Sequence, residues 1–232
     1  MTKTPCCGKI ILLNSMRMII IMTLSQLKQF GVIPVVKIEN EEDALPLADA
    51  LIEGGLPTAE ITFRTECAES VIITLSKSRS NMIIGAGTIL NIEQAKRAVK
   101  AGAAFIVSPG FNEKVVEWCQ INNILCIPGC VTPTELTAAV NMGIKVVKFF
   151  PSEAFGGLTT LKSLSAPFGD VQFMPTGGIS EDNLAEYLYF KKVICCGGSF
   201  MIKDSFIKNK EFAKITELTK KACEIVSSVR NK

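Results

Sequence analysis

A lysine interrupts the apolar run Val146-Val147-Lys148-Phe149-Phe150-Pro151. Side chains of an extended segment alternate between two faces, so Val146, Lys148 and Phe150 share one face. Turned inward, that face desolvates the lysine, and an uncharged amine attacks ketones and forms a Schiff base. A second run, Glu60-Ile61-Thr62-Phe63-Arg64, sets Glu60, Thr62 and Arg64 on one face and Ile61 and Phe63 on the other. With the apolar pair packed against helices, a carboxylate, a hydroxyl and a guanidinium point inward, and Arg64 adds like-charge pressure on Lys148 toward the neutral amine. The plainer alternatives are a buried Glu60–Arg64 pair that only satisfies itself and a Lys148 that snorkels to solvent. Lys145, of opposite parity at the start of its run, fits the snorkelling description better.

Two glycine clusters supply a third element: Thr176-Gly177-Gly178-Ile179-Ser180 and Gly197-Gly198-Ser199. Each could be an ordinary tight turn. Following two neighbouring strands, they would instead offer backbone N–H groups and close approach to a phosphate. An inward amine, a carboxylate able to move protons, an arginine for a carboxylate and a phosphate cradle together suit a metal-free aldolase acting on a phosphorylated keto acid.

The elements that must position these groups are legible as short apolar runs alternating with amphipathic stretches. The runs are Val32–Ile38, Ala59–Phe63, Met82–Ala86, Phe105–Val107, Leu125–Pro128, Val146–Phe150, Gln172–Pro175 and Val193–Cys196. Such runs fit parallel strands buried on both faces. Helix-like stretches lie between them, among them Ile92–Ala101, Glu113–Gln120, Glu181–Tyr189 and Phe212–Val229. Asn40, Asn91 and Ser180 read as helix starts, and Gly54-Gly55, Gly102 and Gly143 as helix ends. Pro46 reads as a first-turn residue. Eight βα units without a linker predict an α/β chain folded as a (β/α)8 TIM barrel, whose chemistry sits at the C-terminal strand ends. An open doubly wound sheet would need a phosphate fingerprint after its first strand. The nearest match, Gly85-Ala86-Gly87-Thr88-Ile89-Leu90, lacks the third glycine.

Composition narrows the classes. The 232 residues suit one barrel, since such domains run to roughly 200–250 residues. Lys+Arg 25 against Asp+Glu 22 leaves +3, spread without long like-sign runs, which predicts no nucleic-acid partner. With no histidine, the Ser–His and Cys–His mechanisms and the usual zinc sites drop out. Nine cysteines, an odd number set mostly in apolar runs, predict reduced buried thiols and a cytoplasmic protein. Cys126 and Cys130 have no second pair with which to hold a metal. The apolar stretch Ile10–Met22 is broken by Asn14, Ser15 and Arg17, too short for a membrane span and followed by no cleavage site. Residues 1–22 therefore read as an N-terminal extension with a natural start among Met16, Met18 and Met22, and 23–232 as a single catalytic domain. No membrane association is expected.

Several segments, in order, resemble the bacterial 2-keto-3-deoxy-6-phosphogluconate/2-keto-4-hydroxyglutarate aldolase family. They are Gly54-Gly55-Leu56-Pro57-Thr58-Ala59-Glu60-Ile61-Thr62-Phe63-Arg64-Thr65, Gly85-Ala86-Gly87-Thr88, Ser108-Pro109-Gly110, Ile127-Pro128-Gly129, Lys148-Phe149-Phe150-Pro151-Ser152-Glu153 and Pro175-Thr176-Gly177-Gly178-Ile179. The resemblance runs from about Leu24 to the C-terminus. It implies a class I, Schiff-base aldolase of the Entner–Doudoroff type, without metal or cofactor, commonly a homotrimer. By the same resemblance Lys148 matches the Schiff-base lysine and Glu60 the general acid/base. Arg64 and Thr88 match residues holding the pyruvyl carboxylate, Phe150 an aromatic lining the pocket, and Thr176 a hydroxyl near the substrate chain. Gly177, Gly178 and Ser199 match the phosphate-binding end. The family's last motif usually carries tryptophan after Gly-Gly-Ser, where this chain has Phe200.

Other readings stay open at this level. A different phosphosugar barrel, such as an isomerase, shares the glycine loops but leaves Lys148 unexplained. A non-catalytic sugar-acid binder would tolerate loss of the amine. A divalent-metal aldolase would need an acidic ligand cluster that the sequence does not display.

Overall fold

The computed structural model describes residues 10–11, 19–20 and 22–230. Ile10–Ile11 and Ile19–Ile20 pair antiparallel. The rest of the expected extension, Met16 and Met18 included, lies outside the described residues, except Met22, which is buried.

From residue 23 onward strands and helices alternate. The strands are β1 (Val32–Val36), β2 (Thr58–Thr62), β3 (Ile83–Gly87), β4 (Phe105–Val107), β5 (Leu125–Ile127), β6 (Val146–Phe149), β7 (Gln172–Pro175) and β8 (Cys196–Gly198). The helices are α1 (Leu24–Phe30), α2 (Ala44–Glu53), α3 (Ala68–Ser78), α4 (Ile92–Ala101), α5 (Glu113–Ile121), α6 (Pro133–Asn141), α7 (Gly157–Ser165), α8 (Leu184–Tyr189), α9 (Asp204–Lys208) and α10 (Phe212–Arg230). Six strands form a parallel half-barrel sheet in the order β8-β1-β2-β3-β4-β5, and β6 and β7 form a parallel pair. Single parallel bridges, Gly129 to Lys148 and Thr176 to Gly197, join the β6–β7 pair to the ends of the half-barrel. The result is a TIM-like α/β fold.

The boundaries follow local chemistry. Asn91 caps α4 by accepting the Gln94 N–H at 2.9 Å, and Gly102 ends it in the left-handed region at φ 115°. Pro46 occupies the first turn of α2, where no intrahelical donor is lost. Two expectations shift. The last strand begins at Cys196 rather than Val193 and runs through Gly197 and Gly198, because pairing with Val32–Pro34 holds two weak strand formers extended. Helix α8 begins at Leu184 rather than Glu181: the Asn183 carboxamide, not Ser180, closes the preceding turn by accepting the Ser180 N–H at 2.8 Å.

Apolar side chains form two layers. The larger lies between strands and helices and takes Ile61, Ala86, Ile106, Val147, Phe149 and Phe173. The smaller lies on the strands' inner face, where Ile33, Ile83, Phe105, Val107, Ile127, Val146 and Met174 meet Met22 and Leu27. Most of its strand residues stand at or near the strand starts, and Leu27 on α1 packs beneath them. The Thr23–Gln26 capping box and Gly31 at φ 66° fix both ends of α1. The lower interior is thus filled with apolar groups, leaving the C-terminal strand ends for polar ones. Filling it requires Gly85: a Cβ there would stand 2.2 Å from the Phe105 ring. Gly85→Ala should therefore destabilise the fold by about 2 kcal/mol through overpacking. A urea midpoint unchanged from wild type would contradict this, and pairing the change with Phe105→Leu should recover part of the loss.

Candidate active site

Glu60 sits mid-way along β2 and Lys148 third in β6, both on the inward parity of their strands. Both side chains are buried, and Lys148 Nζ lies 3.4 Å from Glu60 Oε1. The other carboxylate oxygen, Oε2, is buried with no hydrogen-bond partner. A buried carboxylate oxygen without a donor is costly, so it marks a place built for a proton or a polar ligand. Gly87 on β3 makes the recess: a Cβ there would stand 1.9 Å from Glu60 Oε1.

The remaining sequence-predicted residues gather at the C-terminal ends of the same strands. Phe150 follows β6, and Lys148 Nζ stands 5.1 Å from its ring centroid. Arg64 and Thr88 lie just beyond β2 and β3, whose ends are tied by Thr62–Gly87 register and a 2.8 Å bond from Phe63 N to Gly87 O. Thr88 holds φ 59°, a strained conformation for a β-branched residue and one that the surrounding loop must impose. Thr176 is buried at the end of β7 and bridges Gly197 on β8, where any Cβ would meet its Oγ1 at 2.3 Å. That bridge sets the Gly177-Gly178 loop beside Gly198 and Ser199. Gly177 and Gly178 have φ of 89° and 84°, which only glycine adopts without strain, and Ser199 is exposed at the rim. These residues thus lie on three strand-end regions, β2–β3, β6 and β7–β8, and Lys148 Nζ is in contact with Glu60 and near the Phe150 ring.

The charge that meets Lys148 is not the expected one. The sequence sets the like charge of Arg64 near it, whereas the group in contact is the Glu60 carboxylate. Arg64 Nε instead donates to Thr62 Oγ1 at 3.1 Å, and that hydroxyl donates to Val36 O at 2.8 Å. The alternative Glu60–Arg64 ion pair is accordingly replaced by Glu60–Lys148. Lys145 is exposed, as its parity predicts.

Sequence reasoning missed two sets of residues. Gly87 entered it only as part of a weak fingerprint, although Gly85 and Gly87 share the inward parity of β3 and so signal room left for side chains of neighbouring strands. Buried Ser152 and Tyr187 were passed over; their hydroxyl oxygens lie 2.8 Å apart, and Tyr187 also donates to Glu153. The described cysteines, Cys67, Cys119, Cys126, Cys130, Cys195, Cys196 and Cys223, are free thiols. Burial pushes Cys130 up to about 12, so it stays protonated rather than acting as a thiolate. Among the described residues no group of three or more Cys, Asp or Glu could hold a metal ion, and no helix is long and apolar enough to cross a membrane.

Comparison with known proteins converges on one group. The 2-dehydro-3-deoxy-phosphogluconate aldolase of Treponema pallidum is 45% identical over 200 residues, covering 86% of this chain and 95% of that protein. The KHG/KDPG aldolase of Escherichia coli K12 is 40% identical over 193 residues, covering 83% and 91%. A crystal structure of the KDPG aldolase from Legionella pneumophila, with pyruvate captured at low pH as a covalent carbinolamine intermediate, superposes with a TM-score of 0.83 at 40% identity, covering 86% of this chain and 97% of that one. Residues 23–218 match the family described as KDPG and KHG aldolase, and the chain belongs to that family.

Proposed function

We propose that this protein is a class I aldolase that cleaves 2-keto-3-deoxy-6-phosphogluconate to pyruvate and glyceraldehyde 3-phosphate, and 2-keto-4-hydroxyglutarate to pyruvate and glyoxylate. The observation that carries the reading is the buried contact between Lys148 Nζ and Glu60 Oε1, with Oε2 left open. Its support from relatives is specific: the Legionella enzyme holds pyruvate covalently as a carbinolamine, the adduct formed when an amine adds to a ketone.

The chemistry follows from the placement. Glu60, in contact with the lysine, can relieve it of a proton. The neutral amine then adds to the C2 carbonyl, and Glu60 gives its proton to the carbinolamine hydroxyl, which leaves as water to give a protonated imine and restores the Glu60 carboxylate. Glu60 takes the C4 hydroxyl proton as the C3–C4 bond breaks, the electron pair passing into the imine to leave an enamine. The aldehyde departs, Glu60 returns the proton to C3, and water hydrolyses the imine to pyruvate and the free amine. Arg64 and Thr88 hold the pyruvyl carboxylate at the β2–β3 rim. Phe150 lines the pocket beside Lys148, Thr176 faces the substrate chain, and Gly177, Gly178 and Ser199 take the phosphate at the β7–β8 rim.

The same reading treats residues 23–232 as one catalytic domain, a closed (β/α)8 barrel. It is supported by the bridges at both ends of the β6–β7 pair and by bonds from Lys148 N to Pro128 O at 2.8 Å and from Phe173 N to Lys192 O at 2.7 Å. The free, mostly buried thiols suit a cytoplasmic protein. A homotrimer is the assembly the family resemblance suggests.

Pyruvate with borohydride should attach the reduced adduct to the peptide carrying Lys148 and to no other. Lys148→Ala should remove both the adduct and detectable turnover, and an adduct that persists in this variant would defeat the assignment. Ser199→Ala should raise KM for the phosphorylated substrate by roughly tenfold, the worth of one hydrogen bond to a charged group, while sparing hydroxyglutarate. Steady-state kinetics on the two substrates decides it, since equal losses would contradict the phosphate role.

A further inference from the structure

A carboxylate stands against the loop assigned to phosphate. Glu153 follows β6, its backbone N–H donates to Gly177 O at 3.1 Å, and a Cβ on Gly178 would stand 2.3 Å from Glu153 Cγ. Unrestrained, a negative group so close to a phosphate dianion would repel it. The structure restrains it. Tyr187 on α8 donates its O–H to Glu153 Oε1. The phenol has one proton, spent on the carboxylate, so the Ser152 hydroxyl at 2.8 Å donates to the phenol oxygen behind it. Ser152 and Tyr187 are both buried, and burial together with the Glu153 carboxylate pushes the phenol above its ordinary range, keeping that proton in place. Gly157 leaves the space this needs, since a Cβ there would come within 2.9 Å of Glu153 Oε1 and 3.1 Å of the Tyr187 oxygen.

The same helix steadies the loop from its other side. Asn183, the residue before α8, donates from its carboxamide to Gly178 O at 3.0 Å, while Ser152 N donates to Thr176 O at 2.8 Å. Helix α8 therefore holds the Gly177-Gly178 loop through Asn183 and the neighbouring carboxylate through Tyr187.

From this arrangement we infer that Tyr187 is a positioning residue for substrate selection: by holding the Glu153 carboxylate against α8, it keeps the phosphate end of the site open to an anion. The inference rests on the reading that Gly177, Gly178 and Ser199 take the phosphate. Neither Tyr187 nor Glu153 touches the reacting atoms. Losing the phenol proton should therefore act on phosphate binding and leave Schiff-base chemistry alone.

The test compares Tyr187→Phe, Ser152→Ala, the double variant Tyr187→Phe/Glu153→Gln and Ser199→Ala with wild type, on the phosphorylated keto acid and on 2-keto-4-hydroxyglutarate. Tyr187→Phe should raise KM for the phosphorylated substrate by about tenfold, the worth of one charge-assisted hydrogen bond, with kcat and both hydroxyglutarate constants within about twofold of wild type. The double variant, which removes the charge as well, should recover most of that loss. Ser152→Ala is the milder change and keeps the fold testable if the tyrosine variant proves unstable; it should shift the same KM in the same direction by about twofold. Equal losses on both substrates, no loss on either, or no recovery in the double variant would overturn the role of Tyr187. A selective Ser199→Ala beside an unselective Tyr187→Phe and Ser152→Ala overturns this inference alone. Equal losses from Ser199→Ala take down the phosphate reading and this inference with it.

Discussion

A lysine and a glutamate 88 residues apart in the chain meet at 3.4 Å on the inner face of the strands, both taken out of water. Removing two ionisable groups from solvent carries a large desolvation penalty, which their mutual attraction offsets only with good geometry. Apolar residues of similar volume would pack there at no such cost, as Val146 does two residues earlier on the same strand. The arrangement around the pair is what such a contact requires. Glu60 is held in a recess opened by Gly87, and Lys148 is fixed at both backbone groups, its N–H to Pro128 O and its C=O to Cys130 N, each at 2.8 Å. An amine anchored this way loses little freedom on meeting a carbonyl carbon, and that preorganisation is where a rate advantage originates.

The division of the interior into two storeys follows from the same constraint. Polar groups inside a sheet are tolerable only where water or a ligand can reach them, and α1 stops the strand-start end with Leu27. Phe105 fills the volume facing Gly85, so the apolar storey closes at the level of Glu60, which pairs in register with Gly85. Two glycines at the same parity on β3 thus do opposite jobs. One admits a ring that excludes water, and the other admits a carboxylate that needs a ligand.

Strand parity made much of this legible in the sequence. It set Glu60, Thr62, Arg64 and Lys148 inward and Lys145 outward; Glu60, Thr62 and Lys148 are buried and Lys145 is exposed, whereas Arg64, beyond the strand end, is exposed too. Parity is robust because a one-residue slip would move every apolar partner to the wrong face. Which charge meets the lysine was not legible, since parity says which residues share an interior and nothing about their height in it. Arg64 lies two residues beyond β2, past the storey that Lys148 occupies, so the nearer carboxylate makes the contact. The eighth strand was misplaced for a related reason: glycines carry no strand signal of their own, and only the neighbouring β1 draws Gly197 and Gly198 into the ladder. The Ser152–Tyr187–Glu153 chain was invisible because it joins residues 34 and 35 positions apart through helix α8, with no local spacing to reveal it.

On the proposed reading, the substrate is an anion at both ends and reacts in the middle. The β2–β3 rim carries Arg64 and the strained Thr88 for its carboxylate, the β7–β8 rim carries three backbone-rich positions for its phosphate, and Lys148 stands between them on β6. Binding energy gathered at the two ends can then be spent on holding C2 against the amine, where a small misplacement is expensive. This explains why the rims are the parts of the site built under conformational constraint. Thr88 at φ 59° and Gly177 and Gly178 in the left-handed region are all at the ends, while the reacting pair sits on regular strands. A hydroxyglutarate lacks the phosphate and forgoes that second hold. Its own far anion is a carboxylate on C5, directly beside the reacting C4 and short of where a phosphate on C6 would lie, so the β7–β8 end is where the two substrates are told apart.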